Sequence, residues 1–330
     1  MKNTLKGTLI AAAFAIGLTP LLNTSAIARD ITIDLSGEPA TMDPHKQWNP
    51  TSYYVYRNIF DNVLTRDNDG QIVGQIATSW KQTSESTLEL TIREGVSFHD
   101  GEVLKPSDVV FSVKRITNKD FGSQQLGQFN KIVDASAKGN VVTLTTAGPY
   151  PALMAQLVKL SIVPEHVVEA VGDDAFNAAP IGSGAYAFSE WDRGVSVTLA
   201  RNENYWGEKG PFDKAIFRAV TDPATRVADL QAGTADLVVS IDSDAAAQLS
   251  SNSAVKVLSA PTERVAFMGM NLDKPPFNNK EMRKAASLAI DRLGITEGLL
   301  QAGEIPMAQL SSPAHSVSYT HLTLPTNDLV

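Results

Sequence analysis

Apolar and polar residues alternate over "DITIDL", with Ile31, Ile33 and Leu35 on one side, and the pattern breaks at Gly37 and Pro39. This predicts a strand that leaves into a loop. From Thr51 to Leu64 the period changes: Val55, Ile59 and Val63 fall four apart, with Tyr56, Phe60 and Leu64 on the adjoining stripe, which predicts an amphipathic helix. Leu88, Leu90 and Ile92 share one face of a strand that ends in a Gly-marked turn. "PSDVVFSVKRI" follows as a short helix capped by Ser107, with Asp108 in its first turn. "NVVTLTT" predicts a strand, and Pro151–Leu160 an apolar helix. Strand patterns return at Tyr186 and Phe188, in "VSVTLARNENYW", in "AIFRAV" and in "ADLVVS", with a helix "DPATRVADLQAG" that opens on a proline and closes on Gly233. Strands interleaved with helices, with no internal repeat, predict an α/β or mixed α+β fold.

The two ends of the chain change the picture. Lys2 and Lys6 precede an apolar run, Gly7–Leu22, and Ala26-Ile27-Ala28 offers small residues to a signal peptidase, so residues 1–28 are expected to be an export signal cleaved after Ala28. The run is short beside the roughly 20 apolar residues of a bilayer span. With 330 residues, 43% hydrophobic and 19% charged, the chain is long enough for two globular domains. The signal carries two lysines and no acids, so cleavage leaves 26 basic against 36 acidic residues, a net charge of −10. Nucleic acid and anionic lipid surfaces are poor partners for such a chain. The absence of cysteine excludes a disulfide framework and a lipid-anchored cysteine. The expectation is a monomeric periplasmic protein. At the other end, Val317–Thr326 is the literal translation of a transposase-library adaptor sequence, so residues 317–330 are expected to be a non-native tail, with the native sequence cut at about Ser316.

Candidate chemistry is sparse. "TRDNDGQIVG" has the composition of a chain reversal; as a calcium loop with Gly70 in sixth place it would need Thr65 first and Ile76 twelfth, neither suited to that role. His99-Asp100-Gly101 is a turn with no nucleophile beside it. Gly182-Ser183-Gly184 runs into a strand, whereas a dinucleotide fingerprint needs a helix N-terminus for the pyrophosphate. Its glycines suit a tight backbone course beside a ligand or a neighbouring strand. His45, His99, His166 and His315 are dispersed without metal-ligand spacing, and no Walker, Gly-x-Ser-x-Gly or His-Glu-x-x-His motif occurs. No catalytic set, metal or cofactor is expected.

One set of segments carries a resemblance. "TMDPH", "NIFDNVLTRDNDGQIV", "IATSW", "LTIREGVSFHDGE", "SDVVFSVKRI", "IGSGAYAFSEW", "LARNENYWG", "DLQAGTADLV", "NLDKPPFNNKEMRKAASLAIDR" and "GLLQAG" occur in this order from Ile31 to about Pro306. Their order resembles the extracytoplasmic solute-binding proteins of family 5, the receptors of peptide and nickel class ABC importers. Lys105-Pro106, Gly74-Gln75 and Ala185 depart from the family's usual residues and leave the local backbone course open.

The resemblance implies a two-lobed, class II-like binding protein that closes on its solute. Residues 29–47 and 169–260 would form the first lobe, 48–166 an inserted subdomain, and 261–316 the start of a second lobe, with a strand Val265–Met270 and a helix Lys280–Leu293. It also implies ligand contacts at Gly37, Glu38 and Pro39, at Gly182, Ser183 and Tyr186, and at Thr262, Arg264 and Phe267. The implied solute is a di- or oligopeptide, handed to membrane permease subunits. A nickel chelate, an oligosaccharide or an opine-like compound is the alternative within the family. A secreted hydrolase or a chaperone-like module is the alternative outside it.

Overall fold

The computed structural model describes residues 29–260, 262, 264–300 and 303–307. The expected export signal and the expected tail lie outside the described residues, as does His315.

Two sheets organise the chain. One has five strands, β1 (Asp30–Leu35), β8 (Tyr186–Asp192), β9 (Ser196–Arg201), β10 (Lys214–Ala219) and β11 (Leu237–Val238), in the order β11-β1-β10-β9-β8. β1 is parallel to both its neighbours, with Ile33 opposite Phe217 and Leu237, while β10, β9 and β8 follow as antiparallel neighbours. The other sheet is wholly antiparallel, β4 (Ala77–Ser84), β5 (Thr87–Ile92), β7 (Val141–Thr146) and β6 (Ile132–Lys138) in that order. A hairpin of β2 (Leu64–Arg66) and β3 (Ile72–Gly74) turns through the Asp-Asn-Asp-Gly sequence, where Gly70 has φ 77°.

Each sheet has its own core. Leu88, Leu90, Val142 and Leu144 pack beneath α2 (Pro106–Thr117) through Val109, Val113 and Ile116. Leu35, Val197, Leu199 and Phe217 gather instead with Tyr56 of α1 (Pro50–Tyr56), Phe60, and Phe176 of α5 (Glu165–Ala178). Shorter helices α3 (Leu126–Phe129) and α4 (Leu153–Leu157) join the core of the antiparallel sheet through Phe129, Leu153 and Leu157, and α6 (Pro223–Ala232), α7 (Ser243–Ser250) and α8 (Lys280–Ala289) follow in the chain.

Several elements differ from the sequence expectation. α1 stops at Tyr56 rather than reaching Leu64, because the Asn58 amide takes the Tyr54 and Val55 carbonyls. The carbonyls of Asn58 and Ile59 then accept from Tyr186 and Gly184 instead of from a next helical turn. α2 is capped by Lys105, not Ser107: Pro106 occupies the first turn, where a missing N–H is harmless, and the Asp108 carboxylate accepts from the Lys105 N–H at 2.7 Å. α4 is shorter than the apolar run 151–160, and α5 was not apparent in the sequence because Gly172, at φ 79°, interrupts its periodicity. The stretch Val265–Met270 is not a strand: among the described residues no strand lies beside it with which to form a ladder. α8 ends at Ala289 rather than Leu293; Ile290 turns extended, and the Asp291 carboxylate accepts from the Gly294 N–H.

Candidate functional site

The parallel centre of the five-stranded sheet defines an edge. β10, β9 and β8 are successively antiparallel, so β8 runs in the direction of β1, and the carboxyl ends of β1, β8, β10 and β11 open on the same side. The ends are tied level: Val220 N–H donates to Leu35 O at 3.0 Å, Ala219 N–H to Val195 O at 2.8 Å, and Val239 N–H to Asp34 O at 3.2 Å. In open α/β sheets this is the side on which ligands are bound.

Two arginines hold the edge from below. Arg218 grips the fully buried Asp34 with both carboxylate oxygens, at 2.6 and 2.8 Å, and reaches Asp229 of α6 at 2.7 Å. Arg226, also buried, donates to the carbonyls of Val220, Thr221 and Ser240 at 2.7, 3.0 and 2.8 Å, binding the loop after β10 to the loop after β11. Ser240 adopts φ 58° there, a left-handed conformation that the arginine contact holds in place. Asp222 caps α6 by accepting from Thr225 N–H at 2.7 Å.

The loop after β1 crosses the edge. Glu38 is exposed, and its Oε1 accepts from the indole N–H of Trp191 at the end of β8, 3.0 Å away. On the same indole rests the guanidinium of Arg193, 3.3 Å from the ring centroid. Pro39 is buried and Gly37 half-buried, and the course beyond them is fixed by α5: Asn177 Oδ1 accepts from the Thr41 hydroxyl and from the Met42 and Asp43 N–H groups. Beneath lies a buried ion cluster. Arg115 forks onto Asp43 at 3.0 and 2.6 Å, extends to Asp173 at 2.6 Å, and stacks on Phe121. It also donates to His45 Nδ1 at 3.2 Å, while His45 Nε2–H donates to Ser161 O at 2.8 Å. The stretch "TMDPH" is therefore the anchor of the Glu38 loop.

Gly182, Ser183 and Tyr186 occupy a different place, the seam between the two sheets. Cβ atoms at Gly182 and Gly184 would collide with the carbonyls of Ile59 and Asn58, so only glycine permits this approach. His99 clamps the same turn: its Nε2–H donates to Gly184 O at 3.0 Å, and its Nδ1 accepts from Gly182 N–H at 3.3 Å. Burial lowers the pKa of that imidazole. The Ser183 hydroxyl, fully buried, donates to Asp61 at 2.9 Å. Asp61 also accepts from Gln75, Tyr205 and Trp206 at 2.7, 3.1 and 2.8 Å; burial pushes its carboxyl upward while these donors pull it back. The Tyr186 hydroxyl donates to Phe212 O at 3.0 Å. Thr262, Arg264 and Phe267 lie on the segment after α7, where the Arg264 N–H donates to the Thr262 hydroxyl at 3.3 Å and Phe267 is 74% exposed. The edge thus brings Gly37, Glu38 and Pro39 together with Trp191 and Arg193. The last two were missed by sequence reasoning, although "SEW" offered the aromatic residue.

Of two polar hollows, one of about 350 Å³ lies away from the edge, beside Glu102, Glu165 and His166, and one of about 280 Å³ lies behind the Glu38 loop, beside Thr41, Lys46, Asp173 and Asn177. Among the described residues, no group of three or more His, Asp or Glu side chains could hold a metal ion, and no helix is long and apolar enough to cross a membrane.

Known proteins are similar to this chain in sequence and in fold. The chain is 25% identical over 300 residues to the glutathione-binding protein GsiB of Salmonella paratyphi A, which covers 88% of this chain and 58% of that one. It is 24% identical over 318 residues to the probable D,D-dipeptide-binding periplasmic protein DdpA of Escherichia coli, over 90% of this chain and 61% of that one. Its fold matches the oligopeptide-binding protein AppA of Bacillus subtilis, solved with a nonapeptide, with a TM-score of 0.82 and 22% identity, over 90% of this chain and 60% of AppA. The fold is accordingly the mixed α/β fold of periplasmic binding proteins, and the chain spans about three-fifths of the length of these relatives. Residues 71–328 match the description "Bacterial extracellular solute-binding proteins, family 5 Middle". The chain belongs to that family, a family of binding proteins rather than enzymes.

Proposed function

We propose that the chain is the capture portion of a periplasmic receptor that delivers di- or oligopeptides to an ABC importer. The observation that carries this reading is the open polar edge at the carboxyl ends of β1, β8, β10 and β11, where Glu38, Trp191 and Arg193 are held by bonds made before any ligand arrives. The peptidic solutes in the names of GsiB and DdpA and in the complex of AppA support the choice of solute class. Main-chain groups of Gly37–Pro39 are suited to pair with an extended peptide by strand addition, with side-chain pockets left to water.

In this proposal residues 29–47 and 169–260 form the first lobe, 48–166 an inserted subdomain, and 261–316 the beginning of the second. Thr262, Arg264 and Phe267 would meet the solute from that side. Gly182, Ser183 and Tyr186 would act from below, by holding the seam. Solute contacts that exist only when the lobes meet shift a hinge equilibrium, and the permease recognises the closed form. The reading is tested by titration calorimetry of the protein with trialanine, reduced glutathione and nickel–histidine. Saturable one-to-one binding of a peptide, recovered unchanged, is the expected result; consumption of the peptide, or saturable binding of nickel–histidine alone, overturns it.

A further inference from the structure

The hairpin joining β8 and β9 carries a cation that the fold leaves unused. The other arginines of this sheet and of α6 beside it are committed: Arg201 to Glu203 and Asp213, Arg218 to Asp34 and Asp229, Arg226 to three main-chain carbonyls. Arg193 is exposed, and among the described residues its only recorded partner is the indole of Trp191. That contact uses the face of the guanidinium and leaves its N–H edges unspent. The indole is oriented by its N–H bond to Glu38 across the ends of β10 and β9 and by its packing against the core of this sheet. A charge on a flexible side chain is in this way biased toward the rim of the proposed solute site.

We infer that Arg193 is a specificity-determining residue that receives a free carboxylate of the solute through its guanidinium fork, with Trp191 and Glu38 as its positioning residues. The inference rests on the solute-capture reading above and narrows it to anionic-ended solutes. A planar fork with parallel N–H donors suits a carboxylate better than a neutral amide, and a point charge such as lysine reproduces only part of it. Glu38, bonded at the N–H edge of the same indole, repels a carboxylate that approaches the loop after β1 and so favours its approach from the hairpin.

The test is titration of the 330-residue protein and its Arg193→Gln and Arg193→Lys variants with trialanine and with trialanine amide. The expected result is that the unsubstituted protein prefers the acid over the amide by about tenfold, a single charge-assisted hydrogen-bond pair being of that order. Arg193→Gln then removes the preference by weakening the acid alone, and Arg193→Lys retains part of it. Equal weakening of both peptides, or no change in either, overturns the assignment of Arg193 while leaving peptide capture intact. Failure of both peptides to bind the unsubstituted protein overturns the peptide reading and this inference together.

Discussion

His45 shows how a single residue supports the edge from a distance. Its ring is fully buried, donates to Ser161 and accepts from Arg115, an arrangement open only to the neutral imidazole. Burial first, and then the Arg115 charge, lower its pKa from 6.5 to about 4. Below pH 6.5 the unfolded chain takes up a proton that the folded chain refuses. The stability contributed by His45 is therefore complete above pH 6.5 and declines as the pH falls toward 4, by on the order of 3 kcal/mol. Urea unfolding at pH 7.0 and 4.5 is expected to show this loss, and His45→Gln to be less stable throughout but with a flatter pH dependence; equal slopes for the two proteins would refute the mechanism. The seam glycines make a second prediction. Gly182→Ala and Gly184→Ala drive a methyl into the Ile59 and Asn58 carbonyls and are expected to cost more than about 2 kcal/mol, whereas Gly127→Ala, with open space around it, is expected to be neutral in the same melts. In the sequence His45 stood at the end of "TMDPH" and among the scattered histidines, but its structural part was not legible, because its partners lie 70 and 116 residues away and no local pattern reaches them.

At the scale of elements, periodicity located most strands and misjudged lengths. The alternation in "TLELTI" and "VVTLTT" survives as β5 and β7 because one face of each is buried, and the pattern records that face directly; "DITIDL" survives as β1 although Asp34, on its polar side, is fully buried in its pairing with Arg218. The run Thr51–Leu64 kept its apolar stripe but lost half its helix, since Ile59 and Phe60 are buried by the neighbouring seam rather than by a helical face. The largest mismatch between pattern and packing is α8, which has strong amphipathic spacing and no buried residue; Leu288 is 75% exposed. Leu288→Gln is accordingly expected to change unfolding stability by less than about 0.5 kcal/mol while reducing binding of an apolar dye. A loss of 2 kcal/mol or more in chemical denaturation would mean that α8 is packed in solution.

At the scale of the molecule, one carboxylate stands at the seam of the two cores, beside the His99 clamp and the Asn58 and Ile59 carbonyls. Asp61 collects donors from Gln75, Ser183, Tyr205 and Trp206, groups separated by up to 131 residues, and each would lose its acceptor if the side chain were removed. Asp61→Ala is expected to destabilise the protein by about 3 kcal/mol and to split its thermal transition into two; a single undiminished transition would contradict the joint. The family and the order of its segments were legible in the sequence, and so was the Glu38 loop. Trp191 and Arg193 were not, because their meaning depends on β8 returning to the same edge as β1 through two antiparallel turns. The central claim is that solute binds at that edge. It is tested most directly by mapping backbone amide NMR shifts as trialanine is added. The account predicts that the shifts cluster at residues 36–39, 191–195, 220–222 and 239–242; shifts centred beside Glu102, Glu165 and His166, or spread without a cluster, would contradict it.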